Sequence, residues 1–463
     1  MKKLLPLLIV CLAALVAGAC TSQNRAPGMI TTEIPARPAG QTDVIGLRTE
    51  PLEVVRVGFI GLGMRGPGAV ERFTHIEGVE IKALCDLYPE RVEDTQKYLT
   101  DKGLPRADAY SGDEGWKELC RRGDIDLVYI CTPWERHTPM AVYAMEQGRH
   151  VAVEVPAAMT LDECWALVDT AEKTRRHCMM LENCCYDFFE MATLNMAQQG
   201  IFGEIVHVEG AYIHDLRELQ FNPFDPAVRD AYQGQFRLEF NGAHTGNPYP
   251  THGLGPVAQI LGIHRGDKMN YLVSLSSAQK GMSEYAAERF GVDSSEAGRD
   301  YKLGDMNTTL IRTERGRSMM IQHDVTSPRP YSRIHTVSGT NGFAQKYPVR
   351  SIALEPDAHR PLSGEALEAF LAEWEHPLTR EVGEKARTVG GHGGMDFIMD
   401  YRLVYCLRHG LPLDQDVYDA AGWSCIVPLS ELSVAAGSTP VEIPDFTRGA
   451  WNRTQGFRHA MAE

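Results

Sequence analysis

A dense basic stripe is missing from this chain, and so is a run of about 20 apolar residues, the length that crosses a bilayer as a helix. Lys and Arg total 46 against 61 Asp and Glu, a formal charge of −15, so the electrostatic footprint of a nucleic-acid binder is absent. The eleven cysteines show no C-x-x-C spacing, and Cys184-Cys185 are adjacent. Cys85, Cys131, Cys178 and Cys406 sit inside apolar stretches, where a thiol behaves as a small core residue, so buried thiols are expected rather than a disulfide framework. His and Cys are scattered without metal-ligand spacing, and no metal is expected. There is no internal repeat and no low-complexity tract.

What the chain has at its start is an export pattern. Met1-Lys2-Lys3 is basic, Leu4 to Val16 is apolar, and Ala17-Gly18-Ala19 is a small-residue cleavage site. Cys20 follows, so the segment resembles a bacterial lipoprotein signal. The expectation is removal of residues 1–19 and lipid on Cys20, anchoring an exported protein to the periplasmic or cell-surface side of a bacterial membrane by that lipid alone. Ala17 stands where Leu is more typical, which leaves a soluble periplasmic protein as the alternative. Residues 20–52 are polar with scattered Pro and Gly and read as a tether. The remaining length suits two domains.

Gly61-Leu62-Gly63-Met64-Arg65-Gly66 lies between a strand-like run, Val54 to Ile60, and a helix-like one, Gly68 to Phe73. Asp86 closes the next apolar stretch. Strand, glycine turn, helix, strand and acid together form the dinucleotide fingerprint. Gly61, Gly63 and Gly66 let the backbone approach a pyrophosphate at a helix N-terminus, with contacts from Met64 and Arg65. Asp86 would accept hydrogen bonds from ribose hydroxyls and repel a 2′-phosphate, which favours NAD over NADP.

Strands alternate with helical stretches to about residue 185, predicting a doubly wound parallel sheet over residues 53–185. Its strand ends deliver Asp86, Thr132 to His137, Glu154-Val155 and Asn183, where ligands of such sheets bind. Beyond residue 200, Ile205 to Ile213, Tyr271 to Ser277 and a hairpin about Glu314 to Arg317 predict an α+β domain, residues 186–445, with a mainly antiparallel sheet. The helical stretch Met395 to Leu407 is a candidate to return to the first domain.

Thr132-Pro133-Trp134-Glu135-Arg136-His137 followed by His150-Val151-Ala152-Val153-Glu154-Val155-Pro156 resembles the glucose–fructose oxidoreductase and inositol dehydrogenase superfamily. There the second motif usually ends E-K-P, with a lysine that assists proton transfer; this chain has Val155, which exchanges no proton. Tyr249-Pro250-Thr251-His252-Gly253-Leu254-Gly255 keeps the superfamily's histidine and lacks its acid. The pair of motifs resembles one branch, glycoside hydrolase family 109, described as NAD-dependent α-N-acetylgalactosaminidases.

That resemblance implies a glycosidase without the usual carboxylate pair. NAD takes hydride from C3 of the sugar, a base takes the C2 proton, the C1 group leaves, water adds, and the hydride returns, so the cofactor is held tightly and restored in every turnover. It further implies Tyr212, Arg237, Tyr249, Pro250, Thr251, His252 and Tyr331 as substrate contacts, with His252, Tyr249 and Tyr331 the catalytic candidates. His252 is the first choice for proton transfer; the division of roles among the tyrosines stays open. Trp134, Glu135, Arg136, His137, Glu154, Val155, Asn183 and Tyr249 flank the cofactor, and His392 reads as a turn residue nearby. A glycan or glycoconjugate is the implied partner, with a homodimer suggested by fold analogy. Two alternatives remain in the sequence: an NAD-dependent sugar oxidoreductase, and a non-catalytic carbohydrate-binding lipoprotein that retains NAD.

Overall fold

The computed structural model describes residues 28–225 and 235–456. The expected signal, residues 1–19, and the lipidation site Cys20 lie outside the described residues. Among the described residues no helix is long and apolar enough to cross a membrane.

The first sheet contains β1 (Val55–Ile60), β2 (Val79–Asp86), β3 (Asp108–Ser111), β4 (Leu127–Ile130), β5 (His150–Val153) and β6 (Cys178–Met180). Their order is β3-β2-β1-β4-β5-β6, and every neighbouring pair is parallel, as expected. β4 and β5 are buried at every residue, because helices cover both faces of a parallel sheet. The strand order reverses between β1 and β4, which opens a crevice at their carboxyl ends. β3 escapes sequence reading, since Asp108-Ala109-Tyr110-Ser111 is a short, mostly exposed edge strand with no apolar alternation.

The second sheet contains β7 (Ile205–Ile213), β8 (Met269–Ser276), β9 (Asn307–Thr313), β10 (Ser318–Asp324), β11 (Thr336–Gly339), β12 (Gly342–Gln345), β13 (Ser351–Leu354) and β14 (Val441–Glu442). Their order is β13-β12-β11-β7-β10-β9-β8-β14. β9 and β10 form the predicted hairpin. The sheet is mixed, with β7 and β10 parallel and Tyr212 beside His323 in register; its other neighbours pair antiparallel. Helix Thr251–Leu261 packs on β7 through two glycines. A Cβ on Gly210 would stand 2.1 Å from the Gly253 carbonyl oxygen, so only hydrogen fits between strand and helix.

The C-terminal part returns to the first domain. From helix Met395–His409, the Asp400 carboxylate accepts hydrogen bonds from Arg72 at 2.7 Å and Tyr129 at 2.9 Å. Tyr129 lies in a buried aromatic cluster with Phe59 and Phe73. The tether expected over residues 20–52 is corrected for 28–52, which form a strap along the body. Ile30 bridges Val441, Arg37 pairs with fully buried Glu172 at 2.8 Å, and Val44 and Leu47 are buried. The Leu52 N–H donates to the Leu407 carbonyl. These anchors are spaced without helical or strand period, so polar composition hid them. The nine cysteines among the described residues are free thiols.

Candidate active site

A cavity of about 790 Å³ opens at the carboxyl ends of the first sheet and extends to β7 and helix Thr251–Leu261. Its first wall is the glycine turn. Gly61 has φ +90°, and a Cβ there would meet the Cys131 carbonyl oxygen at 2.5 Å; one on Gly66 would stand 1.9 Å from the Gly61 oxygen. Side chains are excluded at both positions, and helix Gly66–Phe73 starts directly behind the turn. The N–H groups of Gly63, Met64 and Arg65 have no backbone partner among the described residues, which suits a pyrophosphate at a helix N-terminus. Asp86 is buried at the cavity edge and accepts from the N–H of Leu62 at 2.6 Å and of Tyr88 at 3.0 Å. The acid braces the turn as well as lining the cavity. A cradle that any Cβ would fill, with unpaired amides and an acid at the end of β2, fits a dinucleotide.

Arg65, expected to offer backbone contacts, also uses its side chain. The guanidinium donates to Glu154 at 2.9 Å and Asp396 at 3.2 Å, and the Asn183 amide donates to Asp396 at 2.5 Å. His392 Nδ1 lies 2.9 Å from the same Asp396 carboxylate. Burial disfavours charge at Asp396, yet Arg65, His392 and Arg72 hold its pKa well below the usual carboxylate range. Asp396 thus joins the phosphate turn, the end of β5 and Asn183. Spacing in the sequence gives no signal for this, because Arg65 and Asn183 lie 331 and 213 residues from Asp396.

Val155 is buried and lines the cavity, and Glu135 and Arg136 line it from exposed positions. His137 lines the cavity as well, with both ring nitrogens 2.7 Å from carbonyl oxygens, those of Pro156 and Thr132. These two contacts fix the ring against the turn after β4. Trp134 stacks against Tyr249 with centroids 5.9 Å apart. The Arg237 guanidinium lies 5.0 Å from the Trp134 centroid and 4.8 Å from that of Tyr249, a cation–π sandwich rather than a solvated surface arginine.

At the other end Tyr249, Tyr212 and His252 converge. Ring centroids are 4.9 Å apart for Tyr249 and His252, 5.3 Å for Tyr212 and His252, and 4.8 Å for Tyr212 and Tyr249. His252 Nδ1 sits 2.8 Å from Oε1 of Glu182, a carboxylate with no exposed side-chain surface. Burial pushes the Glu182 pKa up, but the adjacent His252 and the hydrogen bonds it receives bring it below the usual value. Glu182, Cys184 and His252 place ligand-type atoms within 4.8 Å of one another; His252 and the Cys184 N–H both hydrogen-bond the Glu182 carboxylate. Pro250 and Thr251, expected as substrate contacts, are buried and do not line the cavity. At the start of helix Thr251–Leu261 a three-residue step puts Tyr249 and His252 on one side and turns the two residues between them inward. Tyr331 lines the outer part, its hydroxyl oxygen accepting from Arg333 Nη1 at 3.0 Å.

Sequence reasoning missed Glu182 as the partner of His252, since nothing in spacing joins residues 70 apart. It also missed Tyr88, Arg91 and Phe224, which form one cation–aromatic face of the cavity. Scattered aromatics carry no signal for that assembly.

Comparison with known proteins bears on this geometry. Residues 186–453 match the family Glycosyl hydrolase 109, C-terminal domain. Residues 55–182 match the Oxidoreductase family, NAD-binding Rossmann fold. The chain is 62% identical over 413 residues to a Bacteroides fragilis protein named Alpha-N-acetylgalactosaminidase, covering 89% of this chain and 96% of that one. It is 54% identical to Glycosyl hydrolase family 109 protein 1 of Bacteroides thetaiotaomicron, covering 100% of both. Among solved structures, levoglucosan dehydrogenase in complex with NADH and levoglucosan superposes with a TM-score of 0.62 at 18% identity, over 84% of this chain and 99% of that one. At that identity the likeness shows the fold.

Proposed function

The chain belongs to glycoside hydrolase family 109, and from that premise we propose that it is an NAD-dependent glycosidase releasing terminal α-linked N-acetylgalactosamine. The relative at 62% identity carries the name of that activity. The observation that carries the reading is one cavity lined by the glycine turn, by Val155 and by His252, whose Nδ1 is held by the buried Glu182 carboxylate. Gly61, Gly63, Met64, Arg65 and Asp86 would hold the adenosine and pyrophosphate part of NAD, and Trp134, Glu154, Val155 and Asn183 would flank its nicotinamide. Bound there, NAD supplies reversible hydride transfer at C3 of the sugar, with no net redox change.

The remaining work belongs to side chains. With its Nδ1 proton held by Glu182, His252 offers Nε2 to the cavity as a base for the C3 hydroxyl. Val155 has no proton to exchange, so the imidazole carries this transfer. Tyr249 and Tyr212 wall the sugar beside it, and Arg237 presents N–H donors to hydroxyl or acetamido oxygens. Chemistry that restores its cofactor in each turnover favours tight retention, which also suits an exported protein with no dependable nucleotide supply. Lipid attachment at Cys20 belongs to the same reading; Cys20→Ser should then move the protein from the membrane to the soluble fraction.

Purified protein without added nucleotide is incubated with p-nitrophenyl α-N-acetylgalactosaminide while nitrophenol and the NADH band are followed. Sustained nitrophenol release with no net NADH is expected. Stoichiometric NADH from added NAD and free sugar would instead identify a dehydrogenase, and silence in both assays a binder.

A further inference from the structure

Tyr331 differs from the other tyrosines of the cavity in exposure and in wiring. Tyr249 and Tyr212 are 6% and 5% exposed, whereas Tyr331 is 37% exposed and stands toward solvent. Its hydroxyl oxygen accepts a hydrogen bond from Arg333 Nη1 at 3.0 Å. Arg333 is itself buried, and its Nη2 donates to Asp187 at 2.5 Å and Glu190 at 2.6 Å. Lys346 Nζ completes the cluster, 2.7 Å from each of those carboxylates. The guanidinium is therefore held from behind and cannot turn away from the phenol.

A phenol has one proton to give and lone pairs to accept with. Arg333 fills the acceptor side, and no acceptor for the Tyr331 proton lies among the described residues. The proton is left for a partner in the cavity that Tyr331 lines. We propose that Tyr331 donates this proton to the departing glycosidic oxygen, and that Arg333 is the positioning residue that makes it a donor. The inference rests on the glycosidase reading above. A sugar whose C3 faces the nicotinamide wall beside Val155 and His252 presents its C1 substituent away from that wall, toward the open side where Tyr331 stands. A phenol titrates at about pH 10, so Tyr331 enters the reaction protonated at neutral pH.

The step balances. The electron pair released by loss of the C2 proton forms the C1–C2 double bond, and the C1–O bond breaks. The leaving oxygen keeps that bond's electron pair, takes the Tyr331 proton and departs as an alcohol. The phenolate left behind faces the Arg333 guanidinium. It recovers a proton from the water whose oxygen adds at C1, while C2 regains its proton from the group that removed it.

The test is a series of α-N-acetylgalactosaminides with 2,4-dinitrophenyl, p-nitrophenyl, phenyl and methyl leaving groups. An activated phenolate leaves without a proton, whereas an alkoxide needs one. Tyr331→Phe should lose less than about tenfold in kcat/KM on the dinitrophenyl glycoside and about 100-fold or more on the phenyl and methyl glycosides, within the range of general acid catalysis. Arg333→Met should show the same steepened dependence, and Arg333→Lys should restore part of it. A merely structural arginine would lower all four substrates alike. If Arg333→Met does not fold, the nearly isosteric Tyr331→Phe decides alone. Equal losses across the series in an otherwise active enzyme overturn the donor role. A wild-type protein inactive on all four overturns the glycosidase reading itself, and the donor role with it.

Discussion

The His252–Glu182 pair concentrates both stability and chemistry in two side chains. A carboxylate with no exposed surface is tolerated because His252 and the Cys184 N–H answer it, at 2.8 Å and 3.1 Å. His252→Ala removes the main partner and leaves a buried charge, a change that costs about 3–5 kcal/mol. Glu182→Gln is the cleaner probe, since it keeps the size of the side chain and removes the charge that steadies a protonated imidazole. It should lower kcat about 100-fold with KM changed less than threefold and bound NAD unaltered, measured by steady-state kinetics and by nucleotide released on denaturation. A rise in KM with kcat intact would assign the pair to ground-state binding instead. The sequence made His252 and Asp86 legible because each sits in a short local motif. Glu182 and Asp396 were not, because each acts on a residue brought to it by the fold, and Arg333 was not because Asp187 and Glu190, the carboxylates that fix it, lie 146 and 143 residues away. Even Tyr331 was readable as a site residue while the arginine two positions on, which sets its hydrogen bonding, was not.

At the level of elements, the fold was legible wherever a strand or helix carried a period. β4, β5 and helix Leu161–Thr174 follow from apolar runs and from the Thr160/Glu163 capping box. β11, β12 and β13 are four residues each, too short for alternation to stand out. Helix Thr251–Leu261 was hidden for another reason: Gly253, Gly255 and Pro256 all argue against a helix. Tertiary packing overrides that propensity, since a Cβ on Gly253 would meet the Ala211 nitrogen at 2.3 Å. The glycines lower helix propensity and in return let the helix lie against β7, which sets His252 beside Tyr212. Gly253→Ala should therefore cost about 1–3 kcal/mol through overpacking and lower kcat at least tenfold by lifting the helix. Gly123→Ala, with nothing within 4 Å of the added methyl, should change neither. Thermal melts and kinetics on both variants check this; a Gly253→Ala protein with wild-type stability and rate would show that the contact relaxes freely.

For the whole molecule, two sheets, a strap and a returning helix bury many ionisable groups together, and their balance sets the response to acid. His150, His177 and His323 are buried, and burial lowers each pKa from 6.5 to about 3; His335 is lowered to about 4. The unfolded chain binds protons at these rings below about pH 6.5 while the folded protein does not. Stability contributed by the neutral rings is thus complete above pH 6.5 and is lost as pH falls toward 4 and 3. Each ring removes about 1.4 kcal/mol per pH unit across that window, or about 2 kcal/mol by pH 5. Asp400 acts in the opposite sense, since burial raises its pKa to about 6 and the folded protein takes up its proton first. Burial raises the Asp416 pKa in the same sense, and four rings outweigh two carboxyls. Below about pH 4 the depressed carboxylates Asp396 and Glu190 add to the loss. The melting temperature should fall by roughly 5 °C or more between pH 7 and 5 and faster below. His323→Gln, which removes one ring from the titrating set, should flatten that dependence even if it lowers the melting point at pH 7. A melting temperature unchanged from pH 7 to 4.5 would mean that the buried imidazoles gain protons without loss of structure, against the packing described here.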